Sequence, residues 1–265
     1  FQSIWRPLIP YSHSSIDLKT GATVSPFQSQ PVSLRMRHWL GTDIIGRDVM
    51  AGMIRGCRVS LMIGLGSMLL ALLIGVPLGS AAAYWANRRK RFSFPVDPLV
   101  MGAVSVIDGF PGMFLILILV AILPFKGWLA ILLVIALLRW PSMARYMRAE
   151  VFKMREMNYI KAAQLLNLPT WSILTKQIIP YAFRPIMVSF IFGISSAILA
   201  ESSLSFLGIG LPAEQINWGR LLAQSRSNFD AWWLAVFPGL AVFFTIVSLY
   251  VIGNAIQHQI ESVKE

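Results

Sequence analysis

From Val59 to Asn87 the chain runs for 29 residues without one charged side chain. About 20 apolar residues are enough to cross the hydrocarbon core of a bilayer. The pattern recurs along the sequence. Between Pro98 and Phe125 the only charge is Asp108, and Pro185–Ala213 carries only Glu201 before Glu214. Gly127–Leu138 is uncharged and reaches crossing length by continuing past Arg139 towards Ala144. Ala231–Ile260 has no formal charge. Only 13% of the 265 residues are charged and 56% are hydrophobic, whereas a soluble domain carries about 25% charged residues. A soluble enzyme is thereby excluded. The expected fold is all-α and polytopic, with five transmembrane helices at about 59–85, 98–124, 127–146, 185–209 and 231–255.

The basic residues set an orientation, because Lys and Arg accumulate in cytoplasmic loops. Arg88, Arg89, Lys90 and Arg91 follow the first span, and Arg139, Arg145, Arg148, Lys153, Arg155, Lys161, Lys176 and Arg184 fall between spans three and four. Five alternating spans put both groups on one side, the cytoplasm, together with a tail over 256–265 containing Lys264. The opposite connectors hold only Lys126, Arg220 and Arg226 as basic residues. Residues 1–58 then form a segment outside the cytoplasm despite seven basic residues, as long loops translocate largely regardless of charge. A chain that starts outside requires an earlier span, so six are expected in the intact protein. The net charge of +11 reads as loop bias in a lipid bilayer, with no nucleic-acid partner.

Within the spans, Gly75 and Gly79 make a small-xxx-small pair that lets helix backbones approach closely. Pro77, Pro111, Pro185 and Pro238 lie inside or beside spans, where each removes a backbone donor and bends a helix. Glu201, with Ser202 and Ser203 beside it, is the acid deep in span four. A carboxylate at that depth faces protein or a watery cavity. It therefore reads either as a hydrogen-bonded structural group or as part of a translocation path. Asp108 reads as a cap or interface residue.

Catalytic signatures are missing. The chain has no phosphate-binding Gly-x4-Gly-Lys-Ser/Thr loop, no Gly-x-Ser-x-Gly elbow and one cysteine, Cys57. His13, His38 and His258 are too scattered to form a metal cluster. No catalytic residues, cofactor or metal are expected.

The loop over 147–180 is too polar to cross and too regular for a linker. Met147, Val151 and Met154, then Ile160, Ala163 and Leu166, follow helical spacing. Leu168-Pro169 breaks the pattern, because the residue before a proline avoids helix. Thr170 is then placed to cap a second helix in which Trp171, Leu174 and Ile178 share a face, closed by Pro180. Such an element suits docking to a partner or lying on anionic lipid.

Lys161-Ala162-Ala163, Asn167 and Ile179-Pro180 resemble the EAA loop of bacterial ABC importer permeases, which reads Glu-Ala-Ala, three residues, Gly, nine residues, Ile-x-Leu-Pro. Lys161 stands where that pattern has the acid and Asn167 where it has Gly, though Asn is the side chain that best tolerates left-handed backbone. His38-Trp39-Leu40-Gly41-Thr42-Asp43-Ile44-Ile45-Gly46-Arg47-Asp48 is similar to the signature that opens the C-type permeases of dipeptide, oligopeptide and nickel importers. From the residues themselves this segment reads as a capped turn, with Gly41 and Gly46 in unusual backbone angles and Arg47 paired to Asp43 or Asp48. Glu201-Ser202-Ser203-Leu204-Ser205-Phe206-Leu207-Gly208 with Trp218-Gly219 resembles a further motif of the same family.

The resemblance implies a permease of type I-like ABC importer fold in the bacterial inner membrane, forming half of a translocation path for di- or oligopeptides. It implies as partners a homologous second permease, two separate ATPase subunits and an extracytoplasmic solute-binding protein. Lys161, Ala162, Ala163, Asn167, Leu168, Pro169, Ile179 and Pro180 would form the ATPase-coupling loop. Gly41, Thr42, Asp43, Gly46, Arg47 and Asp48 would form a periplasmic motif, either scaffolding or contacting the binding protein. Glu201, Ser202 and Ser203 would line the path. Nickel or another small solute is the alternative cargo, and an ion-coupled transporter using Glu201 the alternative mechanism.

Overall fold

The computed structural model describes residues 9–18, 20–86, 95–212 and 215–262. The Arg88–Arg91 cluster, Lys264 and the residues before Ile9 fall outside them. Among the described residues the only β-structure is two isolated bridges, Ile16 to Arg47 and Thr42 to Asp48. The helices are α1 (Val49–Trp85), α2 (Val96–Asp108), α3 (Gly112–Ile122), α4 (Trp128–Arg155), α5 (Asn158–Leu165), α6 (Thr170–Ser172), α7 (Ile179–Phe206), α8 (Trp218–Gln224) and α9 (Trp233–Ser262). Among the described residues four helical segments are long and apolar enough to cross a membrane: α1, α4, the run Thr170–Phe206, and α9. The bent pair α2–α3 supplies a fifth if it is taken as one span.

The differences from the sequence reading have local causes. The stretch over 98–124 is not a straight helix but two pieces meeting at 90°. Pro111 follows Phe110 at the break, Gly109 and Gly112 flank it, and the Gly109 amide closes α2 on the Ser105 carbonyl at 3.0 Å. Helix α1 starts ten residues before the apolar run, because the Asp48 carboxylate accepts the Ala51 amide at 2.7 Å and caps it. Thr170 is the first residue of α6, and the residue at its cap is Pro169. Pro180 does not end a helix either. A π-helical stretch, Ile173–Ile178, joins α6 to α7 immediately before it, and the wider turn absorbs the missing donor.

The chain divides into two compact units. One contains the chain up to Ile63 with Leu123–Ile131 and Ile198–Val247; the other contains Gly64–Ile122, Leu132–Ala197 and the residues from Ser248 on. In the second, α1 meets α4 through its glycines: a Cβ on Gly75 would lie 2.6 Å from Met143 Cβ and 2.7 Å from the Trp140 carbonyl oxygen, and one on Gly79 would meet the Ala144 backbone. Helix α2 is tied to α4 by a bidentate pair, Arg148 Nε and Nη2 donating to Asp97 at 2.6 and 2.8 Å. Arg145 pairs with Asp108, which gives Asp108 an interface role.

Candidate functional site

Three groups of residues carry the chemistry. The first is the turn from His38 to Asp48. Gly41 and Gly46 take positive φ values of 80° and 84°, and a Cβ on Gly41 would sit 2.5 Å from the Val24 carbonyl oxygen. Asp43 organises the turn: Oδ1 accepts the Ile45 and Arg47 amides at 3.0 and 2.8 Å, and Oδ2 accepts Arg47 Nε at 2.8 Å and Gln224 Nε2 at 3.3 Å. Arg47 therefore pairs with Asp43, while Asp48 caps α1. Thr42 Oγ1 accepts the Val24 amide at 2.8 Å, and its carbonyl accepts Trp233 Nε1 at 3.0 Å.

His38 lies fully buried between two carboxylates, Nδ1 2.8 Å from Asp48 and Nε2 3.2 Å from Asp17, with the Tyr11 ring stacked at 4.1 Å. Burial pulls its pKa down, but the hydrogen bonds to Asp48 and Asp17 outweigh it and the value lies above that of a free imidazole. Nothing in the sequence joins Asp17 to this histidine, because 21 residues separate them.

The second group surrounds Glu201, which is fully buried in α7. Oε2 accepts the hydroxyls of Ser60 at 2.9 Å and Ser202 at 3.4 Å. Oε1 accepts Ser205 Oγ at 3.2 Å and the Asn217 amide nitrogen. Asn217 uses its other end, Oδ1, to cap α8 by accepting the Arg220 amide at 2.9 Å. Ser203 belongs to another face, its hydroxyl turned back onto the Leu199 carbonyl at 2.8 Å. Ser60, Ser205 and Asn217 complete a carboxylate cage that the sequence hints at only through Ser205, one turn from Glu201 on the same helix.

The third group is the loop from Asn158. Ile160 and Ala163 are buried on one side of α5, and Leu174 and Ile178 are buried in the π stretch. Ala162 is exposed. Asn167 has φ +54°; its amide donates to the Gln164 carbonyl at 3.0 Å and the Leu168 amide to the Ala163 carbonyl at 3.2 Å. That is a Schellman C-cap, with Asn in the place usually taken by Gly. Leu166 and Trp171, which spacing assigns to buried faces, are instead 75% and 72% exposed. Helix α5 ends at Leu165, so Leu166 is already its cap, and Trp171 lies in the single turn of α6. Leu165 is 83% exposed and Leu168 also faces outward. Lys161 is held by Glu156 at 3.0 Å, and this bond keeps the Glu156 pKa below the usual carboxylate value. Pro180 and Ile179 open α7.

Residues 75–262 match the family of binding-protein-dependent transport system inner membrane components. The chain belongs to that family. It is a transport component of the inner membrane, a multi-pass ABC importer permease. A Brucella suis protein provisionally named as a peptide transport system permease is 36% identical, over 90% of this chain and 77% of its own length. A glutathione transport system permease protein of Pectobacterium atrosepticum is 32% identical, over 84% and 72%. The fold is similar to that of a solved inward-facing MetNI methionine ABC transporter, with a TM-score of 0.66 at 14% identity over 78% of this chain and 95% of that one. This membership does not favour an ion-coupled transporter built on Glu201, whose two oxygens are both taken by neighbouring donors.

Proposed function

We propose that this permease forms half of a path for di- or oligopeptides, closed by a homologous second permease. Two separate ATPase subunits drive it and an extracytoplasmic solute-binding protein supplies it. The names of the Brucella and Pectobacterium relatives, one given to peptides and one to glutathione, a tripeptide, support the cargo class. The observation that carries the coupling is the loop itself. Leu165, Leu166, Leu168 and Trp171 are exposed within ten residues of an exposed Ala162, and so many bare apolar side chains in one short basic loop suit a surface that a partner covers.

In this reading the ATPase grips Lys161, Ala162, Asn167, Leu168 and Pro169 on the cytoplasmic side. Ala163 is the buried anchor, and Ile179-Pro180 passes the displacement into α7. ATP-driven closure moves the loop and opens the path outward; hydrolysis resets it. The turn from Gly41 to Asp48 is the rigid periplasmic collar at the start of α1, and Glu201 with Ser202 fastens α7 behind the path.

The test uses the intact transporter with its ATPase and solute-binding protein in proteoliposomes. Ala162→Asp leaves the chain folded, since that side chain is exposed, but uncouples ATP hydrolysis from trialanine uptake. Unchanged uptake together with unchanged solute-stimulated hydrolysis refutes the docking role. Uptake that collapses with a protonophore while ATP is plentiful refutes the ATP-driven mechanism.

A further inference from the structure

Helix α4 carries four arginines, and three have found partners: Arg145 on Asp108, Arg148 on Asp97, and Arg155 donating to the Ala83 carbonyl at 2.6 Å. Arg139 has no hydrogen-bond or ion-pair partner among the described residues. It is the twelfth residue of α4, so a rise of 1.5 Å per residue sets it about 17 Å from the helix start and about 10 Å from position 146, the expected inner end of the span. A guanidinium at that depth is costly in lipid and belongs against protein or a watery cavity.

The structure supplies the cavity. Arg139 borders a space of about 210 Å³. Ser142 and Tyr146 line it from α4, Ser189 and Ser196 from α7, and Met68 from α1. The spacings explain the grouping: positions 139, 142 and 146 share one face of α4, and positions 189, 193 and 196 share one face of α7. Gly193 keeps that second face open, since a Cβ there would collide with the Met68 side chain. Hydroxyls gathered around a lone cation make a setting that lacks only an anion. Arg binds carboxylates in a planar, bidentate manner.

We propose that Arg139 is the anion-recognition point of the solute path, holding the C-terminal carboxylate of a passing peptide, with Ser142 and Ser189 as auxiliary donors. This inference rests on the peptide-transport reading above. The cavity takes a carboxylate and the atoms beside it, not a whole peptide, so it selects a charge that every free peptide carries and leaves side chains unread. Arg139 is a binding residue in this account and has no part in gripping the ATPase.

The chain's one cysteine makes the test clean. In a Cys57→Ser background, the intact transporter with its ATPase and solute-binding protein is reconstituted with Arg139→Cys and assayed for trialanine uptake and for basal ATP hydrolysis. Losing a hydrogen-bonded charge of this kind lowers uptake about tenfold or more while hydrolysis persists. Aminoethyl methanethiosulfonate, which adds an ammonium, restores uptake; sulfonatoethyl methanethiosulfonate, which adds an anion, does not. Arg139→Lys keeps most of the uptake and Arg139→Gln loses it, which decides the matter if the cysteine variant fails to assemble. Wild-type uptake in Arg139→Cys or Arg139→Gln, or equal rescue by both reagents, overturns the inference and leaves the peptide reading standing. A wild-type transporter that takes up no trialanine overturns both.

Discussion

The cage around Glu201 makes a demand that can be tested by exchanging one atom. Asn217 serves two elements at once, Oδ1 accepting the Arg220 amide at the start of α8 and Nδ2 donating to Glu201 Oε1. Asn217→Asp keeps the cap, because Asp and Asn are equivalent there. It replaces the donor facing Glu201 by a second carboxylate oxygen. Losing a hydrogen bond to a charged group costs about 1.5–3 kcal/mol, and setting two buried acceptors face to face raises the total to about 2–4 kcal/mol. At about 2–4 °C per kcal/mol for a chain of this size, the apparent unfolding temperature of the detergent-solubilised transporter falls by about 4–16 °C. Glu201→Gln alone is mild. Its amide nitrogen turns to the side where the Ser60 and Ser202 hydroxyls rotate to accept, leaving the carbonyl oxygen for Asn217. The two changes together restore a complementary pair, with the new amide at position 201 donating to the new carboxylate at position 217 and its oxygen returned to the serines. The double variant is therefore more stable than Asn217→Asp alone, with a coupling of about 1–3 kcal/mol in the cycle. An unshifted Asn217→Asp, or a double variant as unstable as the sum of the singles, refutes the cage.

Three further expectations follow from particular contacts. At Asn167 a left-handed residue with a Cβ costs about 1–2 kcal/mol where Gly pays nothing, so Asn167→Gly keeps coupled uptake and Asn167→Val lowers it; equal uptake in both variants removes the C-cap from the mechanism. Gly75→Leu forces side-chain atoms into Met143 and the Trp140 carbonyl and lowers stability by about 1–3 kcal/mol, whereas Gly102→Leu, with nothing within 4 Å of its Cβ, is silent in the same thermal assay. His38 is stabilised as the cation, so its contribution is fully present below the ordinary imidazole value of about 6.5 and is lost as pH rises through the higher folded value. The gap in unfolding temperature between wild type and His38→Gln should shrink from about pH 6 to about pH 9, and a constant gap would show that the imidazolium adds nothing.

What is legible in the sequence is what depends on neighbours along one helix. Charge-free runs locate the long apolar helices, since a single side chain such as Glu201 or Asp108 stands out against them. Asn167 is readable as a left-handed cap because the backbone preference belongs to the residue itself. The Gly75–Gly79 spacing announces a close approach without saying to what. Bends are harder, because a proline's effect depends on its surroundings. Pro77, Pro141, Pro185 and Pro238 all sit inside helices, yet Pro111 stands at a right-angled break where glycines flank it.

Pairings across the chain leave almost no trace. Ser60 is 141 residues from Glu201 and Gln224 is 181 from Asp43; neither acid advertises its partner, because a serine or glutamine in an apolar run looks the same whether or not it is needed. Arg139 shows the converse. In the sequence its charge groups with the loop cations that follow it. The third span has to run past it towards Ala144 to reach crossing length, but only the partners found for Arg145, Arg148 and Arg155 make its lack of one informative. An idle charge inside a membrane-spanning helix is costly and marks a functional position. An unpartnered cation inside a long apolar helix, beside a cavity, is therefore a good place to look for the solute.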